Sequence, residues 1–239
     1  MGAERREMTT GIIVLQPDRE VPAGILGARL AERGAAVAIH ELWHGTALPE
    51  AASTCDGLVV LGGTASALGA DQAAIVAMLR SRLATGRPTL GLGLGAQLLT
   101  LALGGAIRPA AAPEFGYVDL VPTALAAGDP VLRGIGAGLP LMEWHEDGLE
   151  LPDSAQLLAQ CHRGRVLAFR SGPSAYGLQF HPGADAAMVR SWARLRGEQR
   201  NNPAVPVRIG AEIVRHQERA ERFGRSVADG WLDLVASAA

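Results

Sequence analysis

The sequence predicts an α/β fold: an open, mostly parallel sheet with helices on both faces. Three observations carry the prediction. Short apolar, β-branched runs alternate with helical stretches along the chain, the pattern of successive βαβ crossovers. Glycine-rich turns follow two of the expected strands, at Gly62-Gly63-Thr64 and between Gly91 and Gly95, and ligands in such sheets bind at the carboxyl ends of the strands. A length of 239 residues with 48% hydrophobic content suffices for one sizeable domain with a full core. The expected organisation is a disordered tail over 1–10 and a single domain over 11–239.

Gly11 to Leu15 (GIIVL) reads as a buried first strand that ends at Gln16-Pro17-Asp18. Gly24 to Gly34 places Ile25, Leu26 and Leu30 at helical spacing before a terminal Gly, a first crossover helix. Ala36 to His40 is the next strand, and Gly57 to Leu61 (GLVVL) runs into the Gly62-Gly63 turn. Asp71 to Leu83 is an amphipathic helix leading to a strand at Thr89 to Leu92. Gly95 to Leu103 is an apolar helix, so the glycines before it mark a tight strand-to-helix turn with Gly93 at its apex. Strands follow at Gln156 to Gln160, Val166 to Arg170 and Ala175 to Phe180, the last with His181 at its end. The tail reads as a helix over Asp185 to Leu195, an Arg/Asn/Pro-rich loop to Pro206, and two helices, Val207 to Phe223 and Ser226 to Ser237.

Composition excludes several classes of function. No lysine occurs, which removes Schiff-base chemistry, a P-loop lysine and lysine general bases. A formal charge of -2 without a basic run argues against nucleic acid as a partner. Two cysteines, Cys55 and Cys161, are too few for a disulfide framework or a cysteine zinc site. The start, MGAERREMTT, has no apolar signal-like region, and no apolar run is long enough to span a bilayer. The expectation is a soluble cytoplasmic protein with no membrane partner, no metal and no cofactor.

The segment Pro88 to Gly105 reads PTLGLGLGAQLLTLALGG, and Gly177 to Gly183 reads GLQFHPG. Together they resemble the class I glutamine amidotransferases, similar to the glutaminase part of GMP synthase, where the segments usually read PxLGICLGAQLLAxALGG and GLQFHPE. The resemblance implies the flavodoxin-like sheet of that family. It places Gly93 at the position of the nucleophilic Cys, His181 at the triad His, and Gly183 at the orienting Glu. It also places Gly62 and Gly63 at the family's GGP loop. There the backbone N–H groups of Gly63 and Leu94 form an oxyanion hole, which needs no particular side chain. Gln97 matches the residue that holds the substrate's amino-acid end. Met142 to Pro152 (MEWHEDGLELP) resembles WHGDTFxLP, with Trp144, His145 and Asp147 in register. Glu114 to Tyr117 and Asp129 to Leu132 match further motifs, so the resemblance covers about Gly11 to Ala236.

Two of three triad positions therefore carry no side chain, and the resemblance implies a domain that does not hydrolyse glutamine. A Gly at an elbow apex also has a structural basis, because nucleophiles there sit in a strained conformation that Gly adopts at little cost. His181 is either a relic or a working acid/base. His145, Glu146 and Asp147 read as a hydrogen-bonded turn or as ligand-binding residues. His40 and His44 lack a third metal ligand and read as surface histidines. Cys55 lies at the wrong end of its strand for a nucleophile, and Cys161 in what matches a surface hairpin. Three functions are open. One is a binder of a small carboxylate or amide that acts in or regulates a nitrogen-transfer step. Another is an enzyme with altered chemistry on a carbonyl or amide, using the oxyanion hole and His181. The third is a pseudoenzyme partner of a synthetase.

Overall fold

The computed structural model describes residues 10–238, apart from the side chains of 110–113; all of the expected tail but Thr10 lies outside the described residues. Ten strands and five α-helices follow in order: β1 (Gly11–Gln16), α1 (Gly24–Glu32), β2 (Ala36–Glu41), β3 (Gly57–Val60), α2 (Ala73–Ala84), β4 (Thr89–Leu92), α3 (Leu94–Ala102), β5 (Ala106–Asp119), β6 (Val121–Pro122), β7 (Pro140–Glu150), β8 (Ala155–Gln160), β9 (Val166–Ser171), β10 (Ala175–Leu178), α4 (Ala186–Gln199) and α5 (Ala204–Ala238).

Eight strands form one sheet in the order β2-β1-β3-β4-β10-β9-β8-β6. The β2-to-β10 half is parallel and the β9, β8 and β6 strands join it antiparallel. Alternation along β1 sends Ile12 and Val14 into one core, with Leu26 and Leu30 of α1 and Val227 and Trp231 of α5. Ile13 and Leu15 enter the other, with Leu79 of α2 and Leu98 of α3. Burial on both faces is why the central strands read as continuous apolar runs.

Outside this sheet, β5 and β7 form a long antiparallel ribbon of their own. The ribbon reaches the site, because the His181 backbone N–H donates to the Met142 carbonyl (3.0 Å). The opposite, amino-terminal edge is tied by Arg82, which is wholly buried. Its guanidinium donates to the carbonyls of Ala52 (3.1 Å), Cys55 (3.0 Å) and Pro88 (2.8 Å) and to Thr89 Oγ1 (3.0 Å).

Three sequence expectations are corrected. The two C-terminal helices are one 35-residue helix, α5. Gly224, between the two expected helices, sits inside it where the Pro182 carbonyl presses so close that a Cβ would overlap it. The glycine permits packing there and does not turn the chain. Helix α4 runs on to Gln199, started by the Asp185 side chain accepting from the Met188 N–H (2.8 Å). Cys161 opens the β8–β9 hairpin turn, its N–H donating to the Arg165 carbonyl (2.9 Å), but its side chain is buried in the core and not at the surface.

Candidate functional site

The register builds the site. β4 lies between β3 and β10, with Val60 opposite Gly91 and Leu178 opposite Leu92, so the turns after three adjacent strands meet at one carboxyl edge. Gly93 N–H donates to the Leu178 carbonyl (2.8 Å) and Gly95 N–H to the Leu61 carbonyl (3.2 Å), fixing the turn to both neighbours. Gly93 then adopts φ 53° and ψ -113° and caps α3. Side chains rarely adopt that conformation, and it stores on the order of 1–3 kcal/mol of strain in a non-glycine residue.

Beside it, the Gly62-Gly63-Thr64 turn is held by Asp18. One carboxylate oxygen accepts from the Thr64 N–H (2.8 Å) and Thr64 Oγ1 (2.6 Å), the other from the Glu20 N–H (2.9 Å). Among the described residues, no protein group accepts from the Gly63 or Leu94 N–H. Leu94 opens α3, so its free N–H adds to the positive end of the helix dipole.

His181 closes the third side. A Cβ on Gly93 would lie 2.8 Å from its Cε1, and one on Gly62 would lie 2.9 Å away. The imidazole thus packs into the space between the two glycines. Its other flank meets Trp192 (ring centroids 4.9 Å apart), whose indole N–H donates to the Glu20 carbonyl (2.6 Å). Burial pushes the His181 pKa down to about 4, with nearby His145 adding to the shift and a hydrogen bond to the Trp144 backbone opposing it. His181 is a neutral imidazole at pH 7.

A cavity of about 170 Å³ opens beside these groups, lined by Gly63, Thr64, His145, His181 and Arg196 among others. The Arg196 side chain is only 9% exposed. Its Nη1 lies 2.7 Å from Glu146 Oε1 and donates to Gln199 Oε1 at 3.5 Å. Nε and Nη2 have no protein partner among the described residues. This leaves one edge of the guanidinium fork for a bidentate anion.

The glutamine amidotransferase class-I family model matches residues 25–187 of this sequence. The chain belongs to that family. It is 36% identical over 99 residues to a glutamine-hydrolyzing GMP synthase subunit from Ignicoccus hospitalis, an alignment covering 40% of this chain and 50% of that protein. It is 28% identical over 218 residues to the glutamine-hydrolyzing GMP synthase of Aeropyrum pernix, covering 90% of this chain and 34% of that protein. This class I amidotransferase chain therefore spans half or less of those relatives' lengths. A glutamine amido transferase from Methylobacillus flagellatus has the same fold, with a TM-score of 0.82 at 23% identity over 95% of each chain.

Of the residues singled out in this amidotransferase sequence, Gly62, Gly63, Gly93, Leu94 and His181 converge. Gly183 adjoins them, and a Cβ there would lie 2.8 Å from the Ala23 carbonyl oxygen, in the backbone ahead of α1. Gln97 is buried and its side chain bonds to no described protein group, nor does it line the cavity. His145 lines the cavity with both ring nitrogens engaged, Nδ1 at 3.1 Å from the Asp147 carbonyl and Nε2 at 3.0 Å from Glu143 Oε2. Asp147 contributes that backbone oxygen and does not line the cavity. Cys55 stands at the far edge beside Arg82, where burial pushes its thiol pKa up.

Two polar residues, one lining the cavity and one behind it, escaped the sequence reading, and each left a signal. Arg196 falls on the stripe Val189, Trp192, Ala193, Arg196, the buried face of α4, so it is a lone cation in an apolar repeat. Glu143 sits two residues before His145 on one face of a strand. Burial raises its pKa, and the hydrogen bond from His145 only partly offsets this. Glu114, Glu143 and His145 bring ligand atoms within 4.8 Å of one another, a grouping that could hold a cation. Arg165 and Arg163 already face Glu114 there and balance its charge.

Proposed function

We propose that this class I amidotransferase domain does not hydrolyse glutamine and instead binds a small carboxylate or amide in the Gly63/His181/Arg196 cavity, acting in or regulating a nitrogen-transfer step. One observation carries the reading. At the apex where the family resemblance puts a nucleophilic Cys there is Gly93, which has no side chain, with the edge of the His181 ring 2.8 Å from where a Cβ would stand. Removal of a covalent nucleophile costs on the order of a million-fold in rate. The missing carboxylate at Gly183 supports the same reading, since even a Cβ there would lie 2.8 Å from the Ala23 carbonyl oxygen. Arg196 supplies what a carboxylate needs, and the Gly63 and Leu94 N–H groups supply donors for a carbonyl or carboxylate oxygen. The GMP synthase relatives are consistent with a synthetase partner.

Altered chemistry on a carbonyl or amide is the second reading, favoured by that pair of unbonded N–H groups at the amino end of α3. It would require His181 to act as a base despite a pKa near 4.

Melting curves with succinate, L-glutamate and L-glutamine test the binding reading. The carboxylates stabilise wild type by mass action, reaching about 2.7 kcal/mol at a hundredfold excess over Kd. R196Q loses that shift, each protein being compared with its own ligand-free melting point. Absence of any shift across the three would contradict the proposal.

A further inference from the structure

A second cavity, of about 470 Å³, lies at the carboxyl ends of β1 and β2 and shares no lining residue with the cavity at His181. Its walls come from Pro17 after β1, from Leu42, Trp43 and Leu48 after β2, and from Ile75 in the first turn of α2. The sheet's connections diverge at this edge, since the chain leaves β1 towards β2 through α1 on one face and leaves β3 towards β4 through α2 on the other. Crevices at such places are where α/β sheets take ligands, and the size suits a ring system.

The polar groups define the ligand. Gln72 is 6% exposed and lines the cavity. Its Nε2 donates to Asp71 Oδ2 at 2.7 Å, which fixes the amide orientation and leaves Oε1 as the acceptor. That Oε1 is buried without a partner among the described residues, an unmet acceptor that a donor from a ligand would satisfy. Asp71 is the one charged residue of the lining, is exposed, and pairs with no basic group among the described residues. An anion is disfavoured, because the Asp71 carboxylate already sits ahead of the α2 amino end. The half-buried Trp43 indole offers a π-face for a flat cation.

We infer that this cavity binds a planar ring carrying an amidinium or amino group, with the ring on Trp43 and its N–H groups donating to Gln72 Oε1 and Asp71. The inference is independent of what occupies the His181 cavity.

The probe is benzamidine, with benzoate as the same ring of opposite charge, followed by calorimetry and tryptophan fluorescence on the full chain. Benzamidine should bind at one site and quench fluorescence, and benzoate should do neither. D71N should weaken binding roughly tenfold, the loss of one charge-assisted hydrogen bond. W43F should keep the heat and lose the quench, and R196Q should change neither. Equal binding of benzoate, full affinity in D71N, or no heat with benzamidine at millimolar concentration would each overturn the assignment.

Discussion

His181 has given up most of its hydration to sit between Gly62, Gly93 and Trp192, and the lowered pKa links it to folding. Between pH 6.5 and about 4 the unfolded chain protonates this side chain and the folded one does not. Stability attached to His181 is therefore complete above pH 6.5 and falls as the pH drops, by at most on the order of 3 kcal/mol. Urea unfolding of wild type and H181Q should diverge in that window, with wild type showing the steeper loss towards pH 4. Parallel curves would mean that the ring is not desolvated as described. At this scale the sequence was most legible where motifs are contiguous: Gly93 and His181 each sit in a short run whose turn is written in glycines. Arg196 was not legible because its role depends on which face of α4 meets the ribbon. Nor does the sequence of Gly183 reveal that the Ala23 carbonyl lies against it.

At the level of elements, the elbow is positioned by its neighbours, and the far edge of the same strands is secured by Arg82. Four of its partners are groups at strand starts or in the loop before β3. R82M keeps the length of the side chain but orphans buried carbonyls, which should cost roughly 3 kcal/mol or more. A urea midpoint close to that of wild type would show that water replaces the guanidinium. The central strands and α1 to α3 were readable because a parallel sheet imposes local signatures, apolar runs bounded by glycine. The β5–β7 ribbon was read only as fragments, because its identity rests on pairing between distant segments such as Glu114 with His145. The unbroken course of α5 past Gly224 was not legible because it depends on the Pro182 carbonyl lying against that glycine.

Over the whole molecule, α5 joins the site to the core. It covers the sheet face with Val227, Trp231 and Val235 and passes beneath the His181–Pro182 turn at Gly224. W231A should cost about 3–5 kcal/mol, as a large buried aromatic does. The loss should appear as one shifted transition by both circular dichroism and tryptophan fluorescence, and separated transitions would show that α5 melts by itself. No helix among the described residues is long and apolar enough to cross a membrane. The central claim concerns the vacant apex of the elbow, and ammonia release from glutamine tests it most directly. Wild type should release none above the uncatalysed background at any substrate concentration. Release by wild type at an ordinary enzymatic turnover, about 1–1,000 per second, abolished by H181Q, would contradict the account.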